Sequence, residues 1–168
     1  MLFCNEKGYV SQEELFNETF QWRDIIDDIE DHLSQIGIII KKFNYMGQLN
    51  YTVIGPNEYT VALSDNEVFL LLDFIIRFNL LNPGAKGLNY TKWKEIVILR
   101  IEKKTRSFTN ALKGLKMKGF LEVKSDLVKP GWRYFALLNI NEILEEIKND
   151  AKLSFLTQKD TEERGIFD

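Results

Sequence analysis

The sequence predicts an α+β fold, mainly helical, built as two tandem winged-helix units. Three observations carry that expectation. A helix start, a helical apolar stripe, a glycine stop and two β-rich runs follow one another twice, with the two hairpins about 80 residues apart. The formal charge changes sign between the two copies. Apolar residues make up 45% of the 168 residues, a normal share for a chain with a packed core. The units read as 1–62 and 63–140, followed by 141–168 as a last helix and polar tail.

In the first unit, Ser11 and Glu14 form an S-x-x-E capping box that starts a short helix. The next helix sets Trp22, Ile25, Ile26, Ile29, Leu33 and Ile36 at helical spacing, with Asp24, Asp27, Asp28 and Asp31 on the other face. Gly37 suits a left-handed cap at its end. The β-rich runs of "GIIIKKFNYMGQLNYTVIG" flank Met46-Gly47 and read as a hairpin, and Gly55-Pro56 closes the unit. The usual first helix is missing or reduced to the stub "MLF".

In the second unit, Ser64 and Glu67 form another capping box, opening a helix that runs to about Leu81. "NPGAKGLN" is a loop. "YTKWKEIVILRI" is a helix capped by Thr91, with Trp93, Ile96, Val97 and Leu99 or Ile101 facing inward. "TRSFTNALKGLKMKG" is the third helix, with Phe108, Ala111, Leu112 and Leu115 as its buried stripe and Gly119 as its stop. "FLEVKS" and "WRYFALLNI" read as two strands joined by a turn at Pro130-Gly131, and "INEILEEIKNDAKLSFL" as a final helix.

The net charge of -3 and pI near 5.4 hide an asymmetry. Residues 1–34 hold nine acids against Lys7 and Arg23, or -7. Residues 84–133 hold thirteen bases against Glu95, Glu102, Glu122 and Asp126, or +9. Such a split points to two modules with different partners. The third helix of the second unit presents Arg106, Asn110, Lys113 and Met117 opposite its buried stripe, flanked by Lys116 and Lys118. Lys103 and Lys104 precede that helix, and Lys124, Lys129 and Arg133 mark the wing. Arginine and asparagine bond base edges and lysines neutralise phosphates, so these bases, with Asn110, form a candidate DNA-binding face. The acids of the first unit would repel phosphate, so that unit is expected to bind protein or to dimerise.

The segment "VFLLLDFIIRFNLL", residues 68–81, is apolar nearly all round and must be buried on most sides. Phe69, Leu72, Ile76 and Leu80 are its candidate protein-interface residues, and the surplus apolar surface predicts a homodimer. It is too short to span a bilayer and is interrupted by Asp73 and Arg77, so no membrane association is expected. "MLFCNEKGYV" does not read as a signal peptide, and the single Cys4 excludes an internal disulfide; a reducing intracellular compartment is expected.

No catalytic constellation stands out, and neither a cofactor nor a metal is expected. His32 is the only histidine, and one His with one Cys falls short of a structural zinc site. The Asp27-Asp28-Glu30-Asp31 cluster lacks a glycine-kinked cation loop and reads as a solvated helix face. "NPGAKG" lacks the phosphate-loop spacing. Trp22, Trp93 and Trp132 read as core residues.

In order and pattern the chain resembles the segregation and condensation protein B family, over about residues 2–138. The stretches that carry the resemblance are "LF" with "VSQEEL", "GIIIKKFNYMGQLNYTVIG", "LSDNEV" and "PGWRYFALL". The resemblance implies a non-enzymatic tandem winged-helix dimer that binds a kleisin-type subunit of an SMC-type chromosome-organising complex. It implies a cytoplasmic, nucleoid-associated protein, to which the basic second unit adds weak, non-specific DNA contact. Two other readings stand beside it. "TRSFTNALKGLKMKGFLEV" looks equally like winged-helix regulators of the multiple-drug-resistance repressor type, so a sequence-specific regulator or replication initiator is one. A tandem winged-helix subunit of the transcription machinery is the other.

Overall fold

The computed structural model describes residues 7–14, 30–54, 62–81, 84–101 and 105–149, with the backbone alone at 100 and 101. The expectations for Cys4, the helix around Trp22 to Ile29, Gly55-Pro56, Lys103, Lys104 and everything after residue 149 lie outside these residues. The chain divides into two compact units, residues 1–62 and 63–168.

In the first unit, β1 (Val10–Ser11), β2 (Ile39–Tyr45) and β3 (Gln48–Ile54) form an antiparallel sheet in the order β1-β3-β2. Tyr45 pairs with Gln48 across a two-residue turn in which both Met46 (φ 54°) and Gly47 (φ 72°) are left-handed. That is the turn geometry that matches strand twist. The Asn50 amide donates to the carbonyls of Tyr45 (3.1 Å) and Gln48 (2.9 Å), pinning the hairpin end. The helix over residues 30–35 stops at Gly37 (φ 81°) as expected. The Ile38 amide returns to the Leu33 carbonyl (2.9 Å) and the Gly37 amide to Ser34 (3.1 Å), so the last carbonyls are satisfied. The Ser11–Glu14 capping box is present in both directions, at 3.0 and 3.1 Å. Among the described residues of this unit, Val10, Ile40, Phe43, Tyr51 and Ile54 are the buried apolar side chains.

In the second unit, α1 (Asp65–Ile76) continues as a π-helical turn (Arg77–Leu81). β4 (Leu88–Asn89), α2 (Tyr90–Ile101) and α3 (Thr105–Met117) follow. The hairpin of β5 (Leu121–Lys124) and β6 (Leu127–Pro130) comes next, then α4 (Trp132–Leu137) and α5 (Ile140–Asn149). The sheet order is β4-β6-β5, again antiparallel. Both sheets thus place a short strand just ahead of a helix and pair it with the second strand of a hairpin. α3 ends as the first unit's helix does: Gly119 (φ 78°) lets the Phe120 amide reach the Leu115 carbonyl at 3.0 Å. Three helices and a wing in this order make an α+β winged-helix architecture.

The structure moves three expectations. α2 is capped by Asn89, whose side chain accepts from the Lys92 amide at 3.0 Å, rather than by Thr91. Of the alternatives Leu99 and Ile101, Leu99 does not face inward but is 80% exposed, and the side chain of Ile101 lies outside the described residues, while Trp93 (0%) and Val97 (2%) are buried. The wing turns at Ser125-Asp126, not at Pro130-Gly131, and Trp132–Leu137 is helical rather than a strand. Proline lacks the N–H to continue a ladder, so β6 stops at Pro130. The aromatic residues that suggested a strand are instead drawn into the core: Tyr134 packs edge-on to Phe74 at 6.0 Å.

Candidate functional site

Three places in the second unit were expected to carry function or its support: the open side of α3, the wing, and α1. On α3 the amphipathic spacing works as read. Phe108, Ala111, Leu112 and Leu115 are buried, and Arg106, Asn110, Lys113, Lys116 and Met117 are exposed, Met117 at 80%. None of those three bases forms an ion pair with a described residue. The helix is anchored at its far end by Lys118, whose ammonium donates to both oxygens of Glu67 at 2.9 and 2.8 Å. Glu67 closes the capping box of α1 as well: its carboxylate accepts from the Ser64 amide and its own amide donates to the Ser64 hydroxyl, both at 3.2 Å. Gly114 leaves the space this needs, since a Cβ there would sit 2.7 Å from Glu67 Oε2.

Burial raises the Glu67 carboxyl's affinity for protons, but the Lys118 ammonium and the Ser64 amide and hydroxyl outweigh it and hold the group below its ordinary 4.5. A carboxylate whose pKa is lowered by folding contributes stability above its unfolded value and loses it as pH falls through the folded one. The expected result is that Glu67→Gln costs stability near neutral pH and that its difference from wild type shrinks below about pH 4.5. Urea unfolding at a series of pH values measures this.

The wing is shorter and less basic than expected. Lys124 is exposed, but Lys129 is half-buried and stands opposite Glu122 in the strand register. Arg133 is turned inward: its Nη1 donates to the Lys118 carbonyl at 3.0 Å, and its guanidinium stacks over Trp132 at 4.9 Å. It supports the end of α3 rather than reaching into solvent. The turn residue Ser125 is left-handed (φ 57°). Asp126, beside it, accepts from the Asn89 amide (2.7 Å) and the Thr91 hydroxyl (3.1 Å), while its carbonyl accepts from the Tyr90 amide (2.9 Å). The tip of the wing is therefore clasped to the start of α2 and carries a negative charge. Sequence spacing gave no signal of this, because the contact joins residues 35 apart.

α1 keeps most of its apolar surface inside its own unit. Leu70, Leu71, Phe74, Ile75 and Ile76 are buried. Ile76, expected at an interface, is 1% exposed and belongs to the core. α5 packs on α1 and buries Ile147, so the apolar surplus that predicted a homodimer is largely absorbed within the unit. Val68 is 41% exposed, and Phe69, Leu72 and Leu80 are half-buried. Phe69 borders a small apolar dimple between α1, α2 and α3, floored by Leu70, Val97, Phe108 and Ala111.

The two charges of α1 form a site that the sequence reading passed over as interruptions. Asp73 accepts from Arg77 Nε (2.6 Å) and Nη2 (3.2 Å) and from the Trp93 indole (2.7 Å), all buried. The i,i+4 spacing was the available signal. In the π-helical turn, Asn79 donates to the Ile75 carbonyl (2.8 Å) and the Tyr134 hydroxyl (2.9 Å). Burial pushes the Tyr134 phenol up to about 12, partly offset by the Asn79 bond. These groups are spent on holding α1, α2 and α4 together. Among the described residues, no three His, Cys, Asp or Glu side chains gather where a metal could bind, and no helix is long and apolar enough to cross a membrane.

No protein-family model and no curated protein matches the chain. Among solved structures it is similar to a chain of an Nse1-Nse3-Nse4 complex, with a TM-score of 0.52 and 15% identity. The match covers 84% of this chain and 68% of that one. The likeness is one of fold, and it extends over both units.

Proposed function

We propose that the protein is a non-enzymatic tandem winged-helix scaffold that holds a kleisin-type subunit within an SMC-type chromosome-organising complex. The observation that carries this reading is the partly exposed apolar side of α1, where Val68 is 41% exposed and Leu72 half-buried while Leu70, Leu71, Phe74, Ile75 and Ile76 are packed inside. Such a surface suits the apolar face of a partner helix or segment. The fold shared with a chain from a three-protein complex supports an assembly role, as does the resemblance in sequence order to a kleisin-binding family. Homodimerisation loses its main support now that most of the apolar surface of α1 is buried within its own unit, and the reading does not depend on it.

Affinity purification of the full chain from its source cells, with the partner identified by mass spectrometry, tests the proposal. A kleisin or SMC-type protein is expected. Because Leu72 is half-buried on the open side, Leu72→Glu should weaken that association by at least about tenfold, the loss expected for a central interface residue. Recovery of a transcription subunit instead, or undiminished association by a folded Leu72→Glu variant, would sink it.

A further inference from the structure

We infer that the chain carries a ligand for its own surface: the segment Glu163–Phe167, beyond the described residues, docks along α2 in the open groove that this helix shares with the start of α3. The inference uses neither α1 nor the open side of α3, so it stands apart from the partner reading. The groove measures about 460 Å³ and is lined by Thr91, Lys94, Glu95, Ile98, Leu99 and Thr105. Leu99 is 80% exposed and Ile98 half-buried, so an aliphatic pair stands toward the carboxyl end of α2. Lys94 and Glu95 stand one turn earlier on the same side of the helix, while Trp93 and Val97 face the core.

That pattern is selective. A purely acidic ligand would meet Glu95, and a purely apolar one would cover both charges without pairing them. What suits the groove is an acid, a base and then an apolar pair, in that order along α2. The stretch "ERGIF" supplies Glu163, Arg164 and then Ile166-Phe167. The spacing agrees as well. Glu95 to Leu99 is a helical rise of about 6 Å, and Arg164 to Ile166 in extended chain spans about 6 to 7 Å. Laid parallel to α2, the segment sets Glu163 beside Lys94, Arg164 beside Glu95, and Ile166-Phe167 against Ile98 and Leu99. Gly165 has no side chain to hold the backbone off the helix. Asn149 to Glu163 can span up to about 46 Å, against a radius of gyration of about 13 Å for a unit of this size, so the groove is within reach. Exposed ion pairs hold little by themselves. The apolar pair adds to them, and the tether presents the segment at an effective concentration on the order of millimolar. Docking covers Leu99 and closes the groove to other chains until a segment of like pattern displaces it.

Cysteine pairing in the full chain tests this, with Cys4→Ser removing the native thiol. Leu99→Cys with Phe167→Cys should close an intramolecular disulfide under copper–phenanthroline oxidation at least about tenfold faster than Met117→Cys with Phe167→Cys. Met117 is as exposed as Leu99 but stands at the far end of α3. In the first pair, Lys94→Glu should slow closure by about threefold or more, and adding Glu163→Lys should restore it, a rescue that damage to the fold cannot give. Equal closure of the two pairs, or failure of the rescue, would overturn the proposal. So would cross-links formed only between separate chains, which would assign the groove to a second copy.

Discussion

Asp73→Ala is expected to cost the second unit about 3–5 kcal/mol, the usual result of removing one partner from a buried ion pair. Arg77 and Asp73 are 2% and 5% exposed, so the variant removes a carboxylate that takes two guanidinium bonds and the Trp93 indole bond away from water. The double variant Asp73→Leu, Arg77→Met should therefore recover most of the stability, since an apolar pair of similar volume is often as stable as the ions it replaces. Trp93→Phe, which removes the indole donor but leaves both charges, should cost less, about 1–3 kcal/mol. Urea denaturation of the three variants measures the order. If Asp73→Ala proves milder than Trp93→Phe, the ion pair is not what stabilises this buried cluster.

Gly131→Ala should cost about 3 kcal/mol, although alanine tolerates the local backbone (φ -86°, ψ -179°). The difficulty is space. A Cβ at Gly131 would lie 2.3 Å from the Gly119 carbonyl oxygen and 3.2 Å from the Leu121 amide nitrogen. Those atoms are backbone and cannot rotate aside. They also belong to a crossing held by two bonds, Gly131 amide to Phe120 carbonyl and Arg133 amide to Gly119 carbonyl, both 2.9 Å. Opening it disturbs the end of α3 and the start of α4 together. Thermal unfolding followed by circular dichroism gives the result, and a melting temperature within a degree or so of wild type would count against the crossing.

Local chemistry made most of this fold legible. The two capping boxes, at Ser11–Glu14 and Ser64–Glu67, need only four consecutive residues to be recognised, and both are formed. Gly37 and Gly119 announce their helix ends because few other residues accept the left-handed conformation. The stripe of α3 was readable because its period and its burial coincide. Where the reading failed, tertiary contacts decided. Trp132–Leu137 has strand-like composition, but Tyr134 finds Phe74 and Asn79, and those contacts favour a helix. Leu99 has core-like chemistry, yet it lies exposed beside an open groove of about 460 Å³ that Ile98 and Thr105 also line. On the candidate basic face, charge alone could not separate exposed Lys113 from Arg133, which folding turns toward a carbonyl 15 residues earlier in the chain.

The matching sheet orders of the two units bear on how the chain is made. Each described sheet takes its strands from one unit, β1 pairing with β3 about 40 residues downstream and β4 with β6 at a similar remove. All three strands of the first sheet precede every strand of the second unit along the chain, so they leave the ribosome first. Synthesis runs slowly beside hairpin formation. The first unit can therefore complete its pairing before α1, the most apolar segment of the chain, has emerged. By then its strands are already committed, which limits the chance of exchange between the two copies of one architecture.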